Sequence, residues 1–168
     1  MRSHYLLATD DALIAQCEVD RYRASGPGGQ HRNKTESAVR LRHKLSGVTA
    51  IGEDSRSQSE NKLHAVRRLR AAIALEVREP AGAISPRLAA LVAGGTAPLG
   101  KNTRLTGEYW AAIAELLDLV VANGLEIGTT AQQLGITTGA LSKLLLHDDA
   151  VARTVNDLRR AKNMRPLR

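Results

Sequence analysis

Apolar positions change period several times in the first 80 residues. Leu13, Ile14 and Cys17 share one side of a short helix expected over residues 10–17, with Asp10 or Asp11 in the capping position. From Glu18 to Ala24, Val19 and Tyr22 set among arginines suggest a short strand. Ser37 to Lys44 alternates, with Ala38 or Val39, Leu41 and Leu45 set between Arg40, Arg42 and Lys44; Ser46-Gly47 is a turn and Val48 to Ile51 a returning strand, so the pair reads as a hairpin. Ser57-Gln58-Ser59-Glu60 has the spacing of a capping box, in which Ser57 accepts from the backbone and Glu60 reaches back. A long helix is expected from there, with Leu63, Val66, Leu69, Ile73 and Val77 as its apolar stripe and Lys62, Arg67, Arg68, Arg70 and Arg78 on a basic exposed face. Pro80 and the Ala-Gly-Ala segment after it end the helix and start a linker.

The second half reads as helices. Ser85-Pro86 opens a short one that Gly94-Gly95 closes, and a loop runs from Gly95 to Asn102. Trp110, Ile113, Leu116, Leu117, Val120 and Val121 form a strong stripe, capped by Thr106 and ended by Asn123-Gly124. Thr129 to Leu146 has the pattern of two helices joined at Gly135, and a last helix starts at Asp148 or Asp149. The expected fold is therefore α+β, a small antiparallel or mixed sheet packed on a long helix, followed by an all-α domain with a helix-turn-helix-like segment. The divisions expected are residues 1–80, a helical domain over 81–152, and a basic helix and tail over 153–168.

Composition sharpens this picture. Of 168 residues 43% are hydrophobic, enough for a core, whereas aromatic residues make up 2%, which argues against an aromatic platform for stacking bases. The net charge of +7 favours a polyanionic partner. Cys17 is the sole cysteine, so an intrachain disulfide and a cysteine-based zinc site are excluded, and no metal or other cofactor is expected. No apolar run has the length of a membrane span, so no membrane partner is expected; a cytoplasmic location fits. From Arg153 to Arg168 six basic residues face one acid, a composition expected to end in a mobile basic arm.

The segment Ser25-Gly-Pro-Gly-Gly-Gln-His-Arg-Asn-Lys34 carries the candidate chemistry. Adjacent Gly28 and Gly29 open backbone conformations closed to residues with a Cβ, and Gln30 then presents a main-chain N–H and an amide at the tip of a basic loop. Donors of this kind, aimed at developing negative charge, stabilise a tetrahedral transition state. A flexible glycine loop with an exposed glutamine is the plainer reading of the glycines alone, and the spacing matches neither a P-loop nor a dinucleotide fingerprint.

That segment, followed by Ser37-Ala-Val-Arg40, His43, Gly47 and Arg56-Ser-Gln-Ser-Glu-Asn61, resembles the catalytic domain of peptide chain release factors and their ribosome-rescue relatives, from about Cys17 to Val77. The resemblance implies that the glycine-glycine-glutamine loop enters the peptidyl transferase centre of the large ribosomal subunit, where water cleaves the ester of peptidyl-tRNA. Gly28 and Gly29 would set the loop backbone; the Gln30 N–H would stabilise the oxyanion or departing 3′-oxygen, and its side chain would orient water. Methylation of the Gln30 amide is also implied. His31, Arg32, Asn33, Lys34, Arg40 and Arg56 are candidate contacts to ribosomal RNA, with Arg32 standing where many relatives carry a small apolar residue. Arg40 and Arg56 read equally as a solvated face, and His31 has no visible orienting partner that would make it a base. Ser57, Gln58 and Asn61 read as a helix start and packing motif.

Only 17 residues precede Glu18, too few for a codon-reading domain, so the expected subtype is a codon-independent factor acting on stalled ribosomes. Arg159, Arg160, Lys162 and Arg165 are the tail's candidate RNA contacts, by analogy with relatives whose basic tails occupy the mRNA channel, and a solvated helix end is the competing reading. The rival function is a non-catalytic RNA- or DNA-binding regulator built on the helix-turn-helix-like segment. Specific DNA binding is disfavoured, because Thr138, Gly139, Ser142 and Lys143 offer no Arg, Asn or Gln to a base edge. Oligomeric state is left open by the sequence.

Overall fold

A computed structural model of the chain describes residues 2–23, 36–94 and 106–168. Gly28, Gly29, Gln30, His31, Arg32, Asn33 and Lys34, and the whole loop expected from Gly95 to Asn102, lie outside the described residues. The fold divides into two compact units, Met1–Val77 and Arg78–Arg168. No helix among the described residues is long and apolar enough to cross a membrane.

The first unit is α+β. Helices α1 (Arg2–Leu7) and α2 (Asp10–Ala15) precede strands β1 (Cys17–Tyr22), β2 (Ala38–His43) and β3 (Thr49–Gly52), and helix α3 (Gln58–Glu76) follows. The sheet is antiparallel in the order β1-β2-β3. The turn after β2 contains Gly47 at φ +72, a left-handed value that favours glycine, and leaves Leu45 largely exposed rather than in the alternation. Val39, Leu41 and His43 of β2 are buried between exposed Arg40 and Arg42, and the register places Ala50 and Gly52 of β3 on the same face. Helix α3 packs on β2 and β3. Val19 shares the face of its partner Leu41 yet is 43% exposed, because α3 packs on β2 and β3 rather than on β1.

Several local expectations give way to tertiary structure. Thr9, not Asp10 or Asp11, caps α2 by accepting from the Ala12 N–H at 3.3 Å. Cys17 begins β1, with its thiol donating to the Leu13 carbonyl at 3.2 Å and its pKa raised by burial. On α3, Leu63 is 45% exposed, whereas Arg70, expected on the exposed face, is 5% exposed. Its guanidinium donates to the Leu6 and Ala8 carbonyls at 2.9 and 2.7 Å and to Asp10 at 2.8 Å. Arg2 likewise donates to the Val77 carbonyl. The two N-terminal helices are thereby fastened over α3, and the surface that periodicity assigns to solvent is covered.

His43 is fully buried at the end of β2, 4.6 Å from the Tyr5 ring centroid. The Ser46 N–H donates to Nδ1 at 3.2 Å, which leaves the proton on Nε2, an atom with no hydrogen-bond partner among the described residues. Burial holds the pKa below the ordinary imidazole value of about 6.5. The unfolded chain therefore binds a proton that the native one refuses, and stability present above about pH 6.5 is lost as pH falls towards the native pKa. Denaturant unfolding at pH 7.5, 6.5 and 5.5 is expected to show this decline, and His43→Gln, which keeps an acceptor for Ser46, to flatten it; an identical slope in the variant assigns the decline elsewhere.

The second unit contains α4 (Pro86–Gly94), α5 (Gly107–Ala122), α6 (Ile127–Gln133), α7 (Thr138–Leu146) and α8 (Asp149–Ala161). Thr106 and Asp148 cap α5 and α8 as their positions predict. The expected apolar stripe of α5 is wider than foreseen. Tyr109 to Ala114 and Leu116 to Val120 are all buried, so α5 is the unit's core helix rather than an amphipathic one. Buried Asp118 accepts from Arg78 and from the Glu79 N–H, both at 3.2 Å. Helices α6 and α7 are joined through Leu134–Thr137, with Gly135 at φ +69.

The C-terminal segment is not a free arm. The Asn156 amide brackets Leu167, accepting its N–H at 2.7 Å and donating to its carbonyl at 3.4 Å, and the Met164 N–H donates to the Arg159 carbonyl at 2.9 Å. Residues 162–168 are folded back along α8.

Candidate functional site

The described part of the site is the stem formed by the strand ends on either side of residues 24–35. Its two sides are the ends of β1 and β2, whose last register pair is Tyr22 with Ala38. Beyond that pair, Arg23 and Glu36 form an exposed ion pair at 3.7 Å. Tyr22 donates from Oη to Glu53 at 3.3 Å, and burial together with the Glu53 charge raises its pKa. The Arg40 guanidinium lies 5.9 Å above the Tyr22 ring and is bonded to Asp20 directly opposite it on β1.

The first turn of α3 closes the stem from below. Ser57 caps the helix by accepting the Glu60 N–H at 3.3 Å. The reciprocal half of the capping box differs from expectation, because the Glu60 carboxylate accepts from the Ser55 hydroxyl, whose oxygen in turn accepts the Ser57 N–H at 3.1 Å. Asn61, fully buried, accepts the Ser55 N–H at 2.9 Å and donates to the Ser37 and Ser55 carbonyls at 2.8 and 2.7 Å. Gln58 donates to the Glu36 carbonyl at 2.9 Å. Gly52 makes this approach sterically feasible: a Cβ there would stand 1.9 Å from the Asn61 carbonyl oxygen. Arg68 ties the end of β3 to α3 through the Ile51 carbonyl at 2.7 Å and Asp54 at 2.9 Å, and its guanidinium lowers the Asp54 pKa.

Sequence reasoning recognised Ser57, Gln58 and Asn61 as a helix start and packing motif but missed that Gln58 and Asn61 hold Glu36 and Ser37. One signal was available: Asn61 precedes Ala65 and Leu69 at i and i+4 spacing, so an amide sits in the row that faces the sheet, where a polar group must find partners.

The other candidate residues are dispersed. Arg56 is exposed in the turn before α3. Arg159 is engaged in its own unit, donating to the carbonyls of Leu125 and Arg165. Leu125 itself stands at φ +68, a strained value for a leucine that this clasp helps to hold. Arg160 pairs with Asp157, while Lys162 and Arg165 are exposed. The outward row of α8, Asp149, Arg153, Asp157 and Arg160, alternates in sign instead of forming a basic stripe. Among the described residues no group of His, Cys, Asp and Glu is arranged to hold a metal.

Comparison with known proteins finds relatives of the part of the chain that carries this stem. Residues 13–89 match the RF-1 domain. Peptide chain release factor 2 of Acidithiobacillus ferrooxidans is 50% identical over 60 residues, 36% of this chain and 16% of that protein. Peptide chain release factor 1 of Albidiferax ferrireducens is 52% identical over 59 residues, 35% of this chain and 16% of that protein. Peptide chain release factor 2 of Buchnera aphidicola is 52% identical over 67 residues, 37% of this chain and 18% of that protein. The chain thus spans less than a fifth of the length of these relatives. Residues 13–89 thus match the RF-1 domain, and the same part of the chain is similar to peptide chain release factors 1 and 2.

Proposed function

We propose that the first unit hydrolyses the ester of peptidyl-tRNA on the ribosome, and that it does so without reading a codon, on stalled complexes. The observation that carries this reading is the match of residues 13–89 to the RF-1 domain together with Gly28-Gly29-Gln30 in a segment followed by residues that α3 fastens. Gly28 and Gly29 set the backbone; the Gln30 N–H meets the oxyanion or the departing 3′-oxygen, and its side-chain amide orients water. The ester is already activated, and ribosomal RNA and tRNA complete the centre, so the chain supplies polarity rather than a nucleophile or strong base. His31, Arg32, Asn33, Lys34, Arg40 and Arg56 serve as contacts to ribosomal RNA, and Arg160, Lys162 and Arg165 as contacts from the second unit. Their guanidinium and ammonium groups would neutralise phosphate.

Purified ribosomes carrying labelled peptidyl-tRNA, programmed either with mRNA truncated at the P site or with a stop codon in the A site, test the proposal. Release from the truncated complex is expected. Release that requires the stop codon would assign the chain to codon-dependent termination, and binding without release in either complex would leave the non-catalytic regulator.

A further inference from the structure

We infer that Gln58 and Asn61 are positioning residues for Gly28-Gly29-Gln30, acting through the Glu36 and Ser37 peptides they hold a few residues further along the chain; the catalytic consequence rests on the function proposed above. The two side chains lie three residues apart on the first turns of α3 and donate to successive carbonyls, Glu36 at 2.9 Å and Ser37 at 2.8 Å. These carbonyls stand beyond the last register pair of the sheet, Tyr22 with Ala38, and immediately after residues 24–35. A chain leaving a ladder is free to rotate about its last dihedrals; two bonds on consecutive peptides remove that freedom.

The arrangement is more elaborate than helix initiation needs. Ser57 already caps α3, and its hydroxyl satisfies the Glu60 N–H. Burying Asn61 where the helix faces the sheet costs desolvation unless every polar atom is paired, and it is paired three times, twice to Ser55 and once to Ser37. An apolar residue would fill the same row without any aim. The Ser55 bonds hold the amide plane, so that its remaining N–H points at Ser37, and Gly52 brings the helix backbone close enough for the reach. Gln58 is partly exposed and adds the second bond from the solvent side. A loop that must place one main-chain N–H against a reacting ester depends on such aim, since a displacement of about 1 Å costs about a hundred-fold in rate.

Gln58→Glu is the decisive variant. It is isosteric, loses the donor to the Glu36 carbonyl, and places an acid in the first turn of α3, where the helix dipole favours it. Its melting temperature is therefore expected to match or exceed the parent's. Release is expected to fall about ten-fold in kcat, with the half-saturating concentration of stalled ribosomes unchanged. Trypsin cleavage after Arg32 or Lys34 is expected to quicken several-fold, and Gln58→Lys, which restores a donor, to recover both readouts. Unchanged release and unchanged cleavage in Gln58→Glu overturn the inference. Gln30→Ala is run alongside: if it is inactive while Gln58→Glu matches the parent in both readouts, the catalytic reading stands and the positioning role falls. If the parent itself releases nothing, the function proposed above falls, and the trypsin rate alone decides: faster cleavage supports the stem's hold on the loop, and an equal rate removes it.

Discussion

Gly29→Ala is expected to lower peptide release from stalled ribosomes by about 10²- to 10³-fold, the loss associated with removing one preorganised oxyanion donor. A methyl group at residue 29 restricts the backbone on which the direction of the Gln30 N–H depends. Gln30→Ala keeps that N–H and removes the amide that orients water, so its release also falls, and by less if the main chain carries the larger share. Both variants should retain the parental circular dichroism and melting temperature, because none of the described elements of the first unit contains either residue. Labelled peptide liberated per ribosome in single turnover is the measurement. Parental rates in both variants would remove the mechanism assigned to this tripeptide.

Arg70→Ala is expected to destabilise the first unit by about 3 kcal/mol, chiefly by stranding the Leu6 and Ala8 carbonyls, each of which loses a charge-assisted bond worth about 1.5–3 kcal/mol. The third partner, Asp10, is 49% exposed and returns to water at little cost. Asp10→Asn should accordingly cost less than about 1 kcal/mol. Urea unfolding of the two variants measures the contrast. Equal small effects would mean that α1 and α2 are held by Leu6 and Leu13 in the core rather than by the guanidinium.

The same arginine shows where sequence reasoning stopped. Periodicity finds the row Val66, Leu69 and Ile73 because the spacing of apolar side chains is local information. It cannot find that Arg70 is covered, since the cover is supplied by residues about sixty positions earlier. Helix α1 escaped for the same reason: six residues are too few to nucleate alone, and Arg2 anchors them to Val77. The caps at Ser57, Thr106 and Asp148 were legible because a cap is a contact within three residues. Glu60 was read half correctly, its carboxylate being drawn to a Ser55 hydroxyl that no spacing rule includes. Gly28, Gly29 and Gln30 were legible as a motif, whereas the stem beneath them was not, because Asn61 reaches across 24 residues to Ser37.

The burial of α5 on all its sides bears on how the second unit can diverge. An amphipathic helix keeps an outward row on which substitutions accumulate with little penalty, and its variability repeats every third or fourth residue. From Tyr109 to Val120 only the Glu115 position escapes full enclosure, so drift has almost nowhere to settle. Saturation mutagenesis across this stretch would read as one intolerant block rather than a periodic trace, and homologues of the helical unit would be traced more readily through α5 than through the helices packed around it.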